Sequence, residues 1–248
     1  MVYSRSEAYG EVKDYGVGGV VGNSTSGDGC EVFDCTNKGV MKISGELFNA
    51  NAKIGYYGIG GVVGLLRCTI KRSKNEADIT IKANTSHLAD DSNVDAAYLH
   101  IGGAVGSSLV ANYNDDTFHN SGNITIESGT HNNFVDIAGL VGYAAKRVGG
   151  ISATHCVNTG NVTLGKEGET LAFNKTIHLS GGSAHPMTWV VDIDNHGTVS
   201  VTKEVTISGY SYIGGCAGRA YFTDANVVRC GSHADSRISP LQRTEGRP

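Results

Sequence analysis

The stretch IGGVVGLLRCTIKRSKNEADITI, from Ile59 to Ile81, holds two short motifs that return along the chain. The first is a glycine-rich hexamer. It recurs as VGGVVG from Val17, IGGAVG from Ile101 and IAGLVG from Ile137, with weaker copies LSGGSA from Leu179 and IGGCAG from Ile213. Successive copies start 42, 42, 36, 42 and 34 residues apart. The second motif trails each hexamer by 14 to 19 residues, as CTNKGVMKI from Cys35, SKNEADITI from Ser73, FHNSGNITI from Phe118, CVNTGNVTL from Cys156, IDNHGTVSV from Ile193 and CGSHADSRI from Cys230. A half-copy, SEAYGEVKD, starts at Ser6. Paired motifs in one register define a repeat, and a period of about 20–50 residues belongs to solenoids, propellers or arrays.

The second motif alternates. Ile79 and Ile81, Ile124 and Ile126, Val162 and Leu164, and Val199 and Val201 flank Thr80, Thr125, Thr163 and Ser200. A period of two with β-branched residues reads as a strand with its apolar side inward. No segment carries a helical period over three turns, which excludes helical repeats. Coils stacked directly on one another account for identical short motifs better than four-stranded propeller blades do. The expected architecture is therefore all-β: a parallel β-helix of about six coils with loop insertions, spanning residues 1–238, with repeats starting near 17, 59, 101, 137, 179 and 213. The polar tail 239–248 reads as disordered.

In such a stack each residue lies about 4.8 Å from its equivalent in the next coil. The column Gly19, Gly61, Gly103, Gly139, Gly181 and Gly215 then predicts a sharp bend or a close backbone approach. The column Asn37, Asn75, Asn120, Asn158 and Asn195 predicts stacked amides in a left-handed turn. A phosphate loop is excluded, because no helix and no lysine follows the hexamers in the required way.

Composition narrows the function classes. A formal net charge of −4 gives no electrostatic drive toward nucleic acid or an anionic membrane. No apolar run reaches membrane-span length, and MVYSRSEAYG is not a signal peptide. Of the six cysteines, Cys35, Cys156 and Cys230 share an inward column with Ser73, Phe118 and Ile193. They fall in non-adjacent coils, beyond disulfide reach. Cys216 falls in another core column. Buried free thiols are expected, with a local Cys30–Cys35 pair as the weaker option, and no spacing matches a zinc motif.

The paired pattern IGGxVG followed by CxNxGxIxI resembles the GLUG-type and related glycine-rich β-helical repeats of large secreted or surface-anchored bacterial proteins, from about Gly10 to Ile238. That resemblance implies a right-handed parallel β-helix, an extracellular or cell-surface location, and an adhesin-like stalk or ligand-binding segment. The repeats here are longer than the compact form, extended by loops such as TSHLADDSNVDAA and GKEGETLAF that leave room for loop-borne function.

Columns also sort the polar residues. The position before the cysteine column reads Asp34, Arg72, Thr117, His155, Asp192 and Arg229, which predicts outward ion pairs Asp34–Arg72 and Asp192–Arg229. The threonine column evokes an ice-binding face, but Lys42 and Arg237 terminate it and Asp78 and Asp235 flank it. Ahead of each hexamer, Tyr56, Tyr98, Phe134, Thr176 and Tyr210 form one outward column, and Gly58, His100, Asp136, His178 and Tyr212 another. An outward aromatic stripe beside polar groups suits sugar rings or a protein partner; the alternative is a stripe buried as scaffold. His100, Asp136 and His178 could hold a metal or act as an acid–base set. Evenly spaced rungs rarely converge, however, so no catalytic residue, metal or cofactor is assigned. The acidic loops ADDSN from Ala89 and NDD from Asn114 lack the ligand pattern of a calcium loop.

Two functional classes follow. The favoured one is a non-enzymatic surface module for a glycan or protein ligand. The other is a polysaccharide lyase or glycosidase, for which the irregular fifth repeat LSGGSAHPMTWVVDIDNHG, with His185, Trp189, Asp192 and Asp194, is the place to look. The absence of a capping helix predicts flanking segments of a longer chain or a partner at the ends.

Overall fold

A computed structural model describes residues 13–24, 30–48, 54–85, 98–109, 117–145, 156–187, 190–219, 227–233 and 236–238. Most of the N-terminal half-copy, most of the loop TSHLADDSNVDAA, both acidic loops, His155, Trp189, Asp235 and the tail lie outside them. Among the described residues there is no helix, and every strand pairing is parallel between equivalent positions of successive repeats, so the chain is a β-solenoid.

Among the described residues four sheets of five or more strands run along the stack, beside two two-stranded pairings, Glu31–Phe33 with Thr69–Lys71 and Val190–Val191 with Val227–Val228. Sheet 1 has six strands, Lys13–Gly18, Ile54–Gly60, Tyr98–Gly102, Phe134–Ala138, Ile177–Ser180 and Ser211–Gly214. Sheet 2 has five, Val21–Asn23, Val63–Leu66, Val105–Ser108, Val141–Ala144 and Ser183–Pro186. Sheet 3 carries the asparagine column, from Thr36–Asn37 to Gly231–Ser232, and sheet 4 the alternating Ile/Val segments, from Met41–Phe48 to Ser236–Ile238. The solenoid makes about four turns, fewer than the six coils expected, and the sixth hexamer contributes no strand to sheet 2. The insertion GKEGETLAF is only half loop: Leu171–Phe173 returns as a strand on the end of Ile124–His131, with Leu171 and Phe173 in the core.

The cross-section has two lobes because the hexamer doubles back. Apolar residues of sheets 1 and 4, among them Ile59, Ile101, Ile137, Ile79, Ile124 and Val162, fill one core. Residues following the hexamer turn, with Cys68, Ile70, Phe118, Cys156 and Ile193, fill the second. Between the lobes the turn itself reaches in and rests on the asparagine ladder. A Cβ at Gly61 would fall inside the Asn75 side chain and the Gly103 carbonyl oxygen, so the turn accepts no side chain there.

The ladder is continuous. Each Nδ2 donates to the next Oδ1, from Asn37 to Asn75 at 2.8 Å, Asn75 to Asn120 at 2.8 Å, Asn120 to Asn158 at 2.9 Å and Asn158 to Asn195 at 2.7 Å. The same nitrogens of Asn75, Asn120, Asn158 and Asn195 also donate to the carbonyl two residues on. The ladder is as expected, but its backbone is not. Among the described residues the left-handed positions other than glycine are Asp34, Arg72, Asp192 and Arg229, each just before the cysteine column, and none of the asparagines. These four also pair as foreseen, Arg72 on Asp34 and Arg229 on Asp192, each through Nε and Nη2. Asp192, expected to point outward, is buried under Arg229. None of the six cysteines forms a disulfide, and Cys68 and Cys156 are buried. In sheet 4 the register places Lys42 and Arg237 at the ends of the threonine row.

His131 is a buried imidazole at the end of Ile124–His131. It stacks on Phe173 with ring centroids 5.0 Å apart, and neither ring nitrogen has a hydrogen-bond partner. Burial pushes its pKa down from 6.5 to about 4. Between those values the unfolded chain binds the extra proton, so this contribution is complete above pH 6.5 and is lost as pH falls toward 4. Urea unfolding between pH 7 and 4 is expected to lose on the order of 3 kcal/mol through this group. A His131→Phe variant should show a correspondingly flatter profile; an unchanged slope would mean that His131 titrates normally.

Candidate functional site

Because the hexamer doubles back, sheet 2 lies against the outward face of sheet 1. The two sheets touch backbone to backbone at the hexamer end, where a Cβ on Gly58 would strike the Gly64 carbonyl oxygen. Farther from the turn the gap widens into a cleft, and side chains fill it. Sheet 1 supplies the columns Gly58, His100, Asp136, His178, Tyr212 and Tyr56, Tyr98, Phe134, in the register read from the sequence. Sheet 2 supplies Leu65, Ser107, Tyr143 and His185, which also share one register.

His100, Asp136 and His178 therefore do not project into solvent. All three are buried, covered by sheet 2 rather than by a loop. The evenly spaced rungs also converge, contrary to expectation, because the middle one is a carboxylate with two oxygens. His100 Nδ1 donates to Asp136 Oδ2 at 2.8 Å, and His178 Nδ1 to Asp136 Oδ1 at 2.6 Å. His185 Nδ1 stands 3.4 Å from Asp136 Oδ2 without forming a hydrogen bond. Burial disfavours the Asp136 anion, but the imidazoles around it outweigh that and hold its carboxyl well below the ordinary range. Burial pushes His100 down against the pull of Asp136. An ionised carboxylate only accepts, so each bonded Nδ1 carries a proton and a neutral ring presents a lone pair at Nε2. The Nε2 atoms of His100 and His178 are buried and unpartnered.

Rings close the cleft toward solvent. Tyr143 stacks on His100 at 4.7 Å, His178 meets His185 at 4.4 Å, and Tyr98 stacks on Phe134 at 5.0 Å. Burial raises the Tyr143 hydroxyl above its usual range. At one end Arg67 pairs with Asp14 across the sheets, and at the other Arg219 lies over the Tyr212 ring at 5.0 Å. Tyr56, Tyr98, Phe134 and Tyr212 are half-buried at the rim, while Tyr210 is 77% exposed.

The fifth repeat does not assemble its acidic residues with its histidine. His185 turns into the cleft, Asp192 is held by Arg229, and Asp194 lies 3.8 Å from His233. Tyr143 was missed by the sequence reading, and the signal was slight. The residue after the last glycine of each hexamer changes chemistry from Leu65 to Ser107, Tyr143 and His185, but only the doubled-back turn gives that variation a meaning.

Together these features define a parallel β-solenoid with a polar, ring-capped cleft between two of its sheets. No family model, no curated protein and no solved structure matches the chain. The likeness to GLUG-type repeats rests on the motifs alone. Among the described residues no helix is long and apolar enough to cross a membrane.

Proposed function

We propose that the chain is a non-enzymatic binding segment of a bacterial surface or secreted protein, taking a glycan on the aromatic rim of the cleft. The observation that carries this reading is a gap in the ring stack. Tyr98 and Phe134 stack along the solenoid axis with an interplanar angle of 24°, so the far face of Phe134 looks toward the next rung. That rung carries Thr176, and the one beyond it the exposed Tyr210. Two rungs span about 9.6 Å. A sugar ring taken there would lie over Thr176, which is itself buried, with its apolar face toward Phe134 on one side and Tyr210 on the other. The buried cluster behind the rim argues against hydrolysis or elimination, since an acid or base must reach the bond it cleaves.

The test is retention on a panel of bacterial, plant and host polysaccharides, scored together with release of new chain ends. Retention without cleavage is expected, weakened at least about tenfold by Tyr210→Ala and by Thr176→Phe, which would continue the ring stack into the slot. Thermal melts of both variants should match the parent. Cleavage of any glycan would establish the enzymatic reading instead. Retention by none would leave a spacer or a protein-binding segment.

A further inference from the structure

We propose that Asp136, His178 and His185 form a site for a zinc-type divalent cation that clamps sheet 1 to sheet 2. Nothing in this inference depends on the glycan slot.

One ligand atom from each of these residues falls within 4.8 Å of the others. A tetrahedral zinc ion with bonds of about 2.0–2.1 Å sets its ligands ~3.3 Å apart. The 3.4 Å separation of His185 Nδ1 from Asp136 Oδ2 is already that edge. It does not meet hydrogen-bond geometry, which leaves the buried His185 Nδ1 beside the carboxylate without a hydrogen-bond partner. The 2.6 Å contact from His178 to Asp136 must open, and it opens when the neutral ring's one proton moves from Nδ1 to Nε2 and the freed Nδ1 lone pair takes the metal. The ring stays neutral and no proton is lost.

His100 is the supporting group. Its Nδ1–H holds Asp136 Oδ2 from the side away from His178, the arrangement that fixes a ligating carboxylate in orientation. Two imidazole nitrogens and one carboxylate oxygen suit zinc and its neighbours in the transition series, and disfavour calcium and magnesium, which take all-oxygen shells. Burial agrees: the Asp136 carboxyl is fully buried, with imidazole nitrogens as its near polar neighbours. Access exists on one side only, because the His185 side chain is 12% exposed while Asp136 is sealed.

The position of the ligands says what the ion does. Asp136 and His178 lie on adjacent strands of sheet 1, and His185 lies on sheet 2. An ion there ties the widening part of the cleft together, as the glycine contacts tie its narrow end. The metal is a structural staple.

The experiment uses the whole chain, stripped with a chelator and titrated with zinc by calorimetry, then with cobalt(II) for its visible spectrum. One zinc per chain is expected, with a rise in melting temperature and cobalt bands of a tetrahedral nitrogen–oxygen site. His185→Ala, whose side chain makes no hydrogen bond to lose, should abolish binding while keeping the parent circular dichroism. His100→Ala, a positioning variant, should weaken zinc about 10- to 100-fold without changing the stoichiometry. Binding that survives His185→Ala would overturn the proposal. So would a cobalt–thiolate charge-transfer band, which would place the ion on the cysteines, or loss of zinc in His196→Ala at the stacked His196–His233 pair. Absence of stoichiometric binding to the folded parent would also refute it.

Discussion

Asn120→Ala is expected to remove about 3–5 kcal/mol of stability, and Asn37→Ala only about 1–2 kcal/mol. The difference comes from position in the ladder. Asn120 Oδ1 accepts from Asn75, and its Nδ2 donates both to Asn158 Oδ1 and to the Gly122 carbonyl oxygen. Alanine strands a donor on Asn75, an acceptor on Asn158 and the Gly122 carbonyl, all in a part of the coil that water does not reach. Each stranded buried group costs about 1–3 kcal/mol, reduced where a second bond survives, as it does for Asn75 through Ala77. Asn37 has one ladder neighbour, and its Oδ1 also takes the nearby Gly39 N–H. Urea midpoints of the two variants, compared at constant m-value, decide the matter. Equal losses would mean that the amides act independently and that the ladder adds nothing through its continuity.

The ladder was legible in the sequence because a stack converts a recurring residue into a spatial column. The same conversion gave the inward Ile and Val positions, the shared column of Cys35, Ser73 and Phe118, and the charge pairs Asp34–Arg72 and Asp192–Arg229. The backbone of the turn was not legible. A short polar side chain lowers the cost of left-handed geometry, so asparagine was the natural assignment. Here the amides are committed to one another, and the left-handed geometry falls one corner earlier, at Asp34, Arg72, Asp192 and Arg229.

The cleft was half legible. Periodicity gave the correct columns for His100, Asp136, His178 and for Tyr56, Tyr98, Phe134, Tyr210 and Tyr212. It also gave the correct side of the strand, away from the Ile101 core. What alternation cannot report is whether a second layer lies over that side. The hexamer carried that information in its glycines, which are required wherever sheets 1 and 2 touch, and the sequence supports both a sharp bend and a close approach. Convergence on Asp136 was equally hidden. It needs a rung whose side chain offers two acceptors, with donors on both neighbouring rungs, and column alternation says nothing about such bridges.

Gly103→Ala should be at least as damaging as loss of the ladder amide, at about 4 kcal/mol or more, and should reduce soluble yield. The added methyl would lie inside the Asn120 side chain on one side and the Gly139 carbonyl oxygen on the other. One obstacle is a side chain, the other is backbone of the next coil, and neither can move alone. Asn120 is held by three hydrogen bonds and Gly139 by its own N–H to the Ser180 carbonyl. Relief would have to come from lifting the turn off the ladder, which separates the two lobes and opens the narrow end of the cleft. The two substitutions are therefore coupled. In an Asn120→Ala background the methyl meets only the Gly139 oxygen, so Gly103→Ala should cost less there than in the parent, a negative coupling on the order of 1–2 kcal/mol in a double-mutant cycle. Additive losses would show that the turn and the ladder are separate supports. A Gly103→Ala variant within about 1 kcal/mol of the parent would show that the turn does not rest on the ladder, and with it would fall the close contact that shapes the cleft.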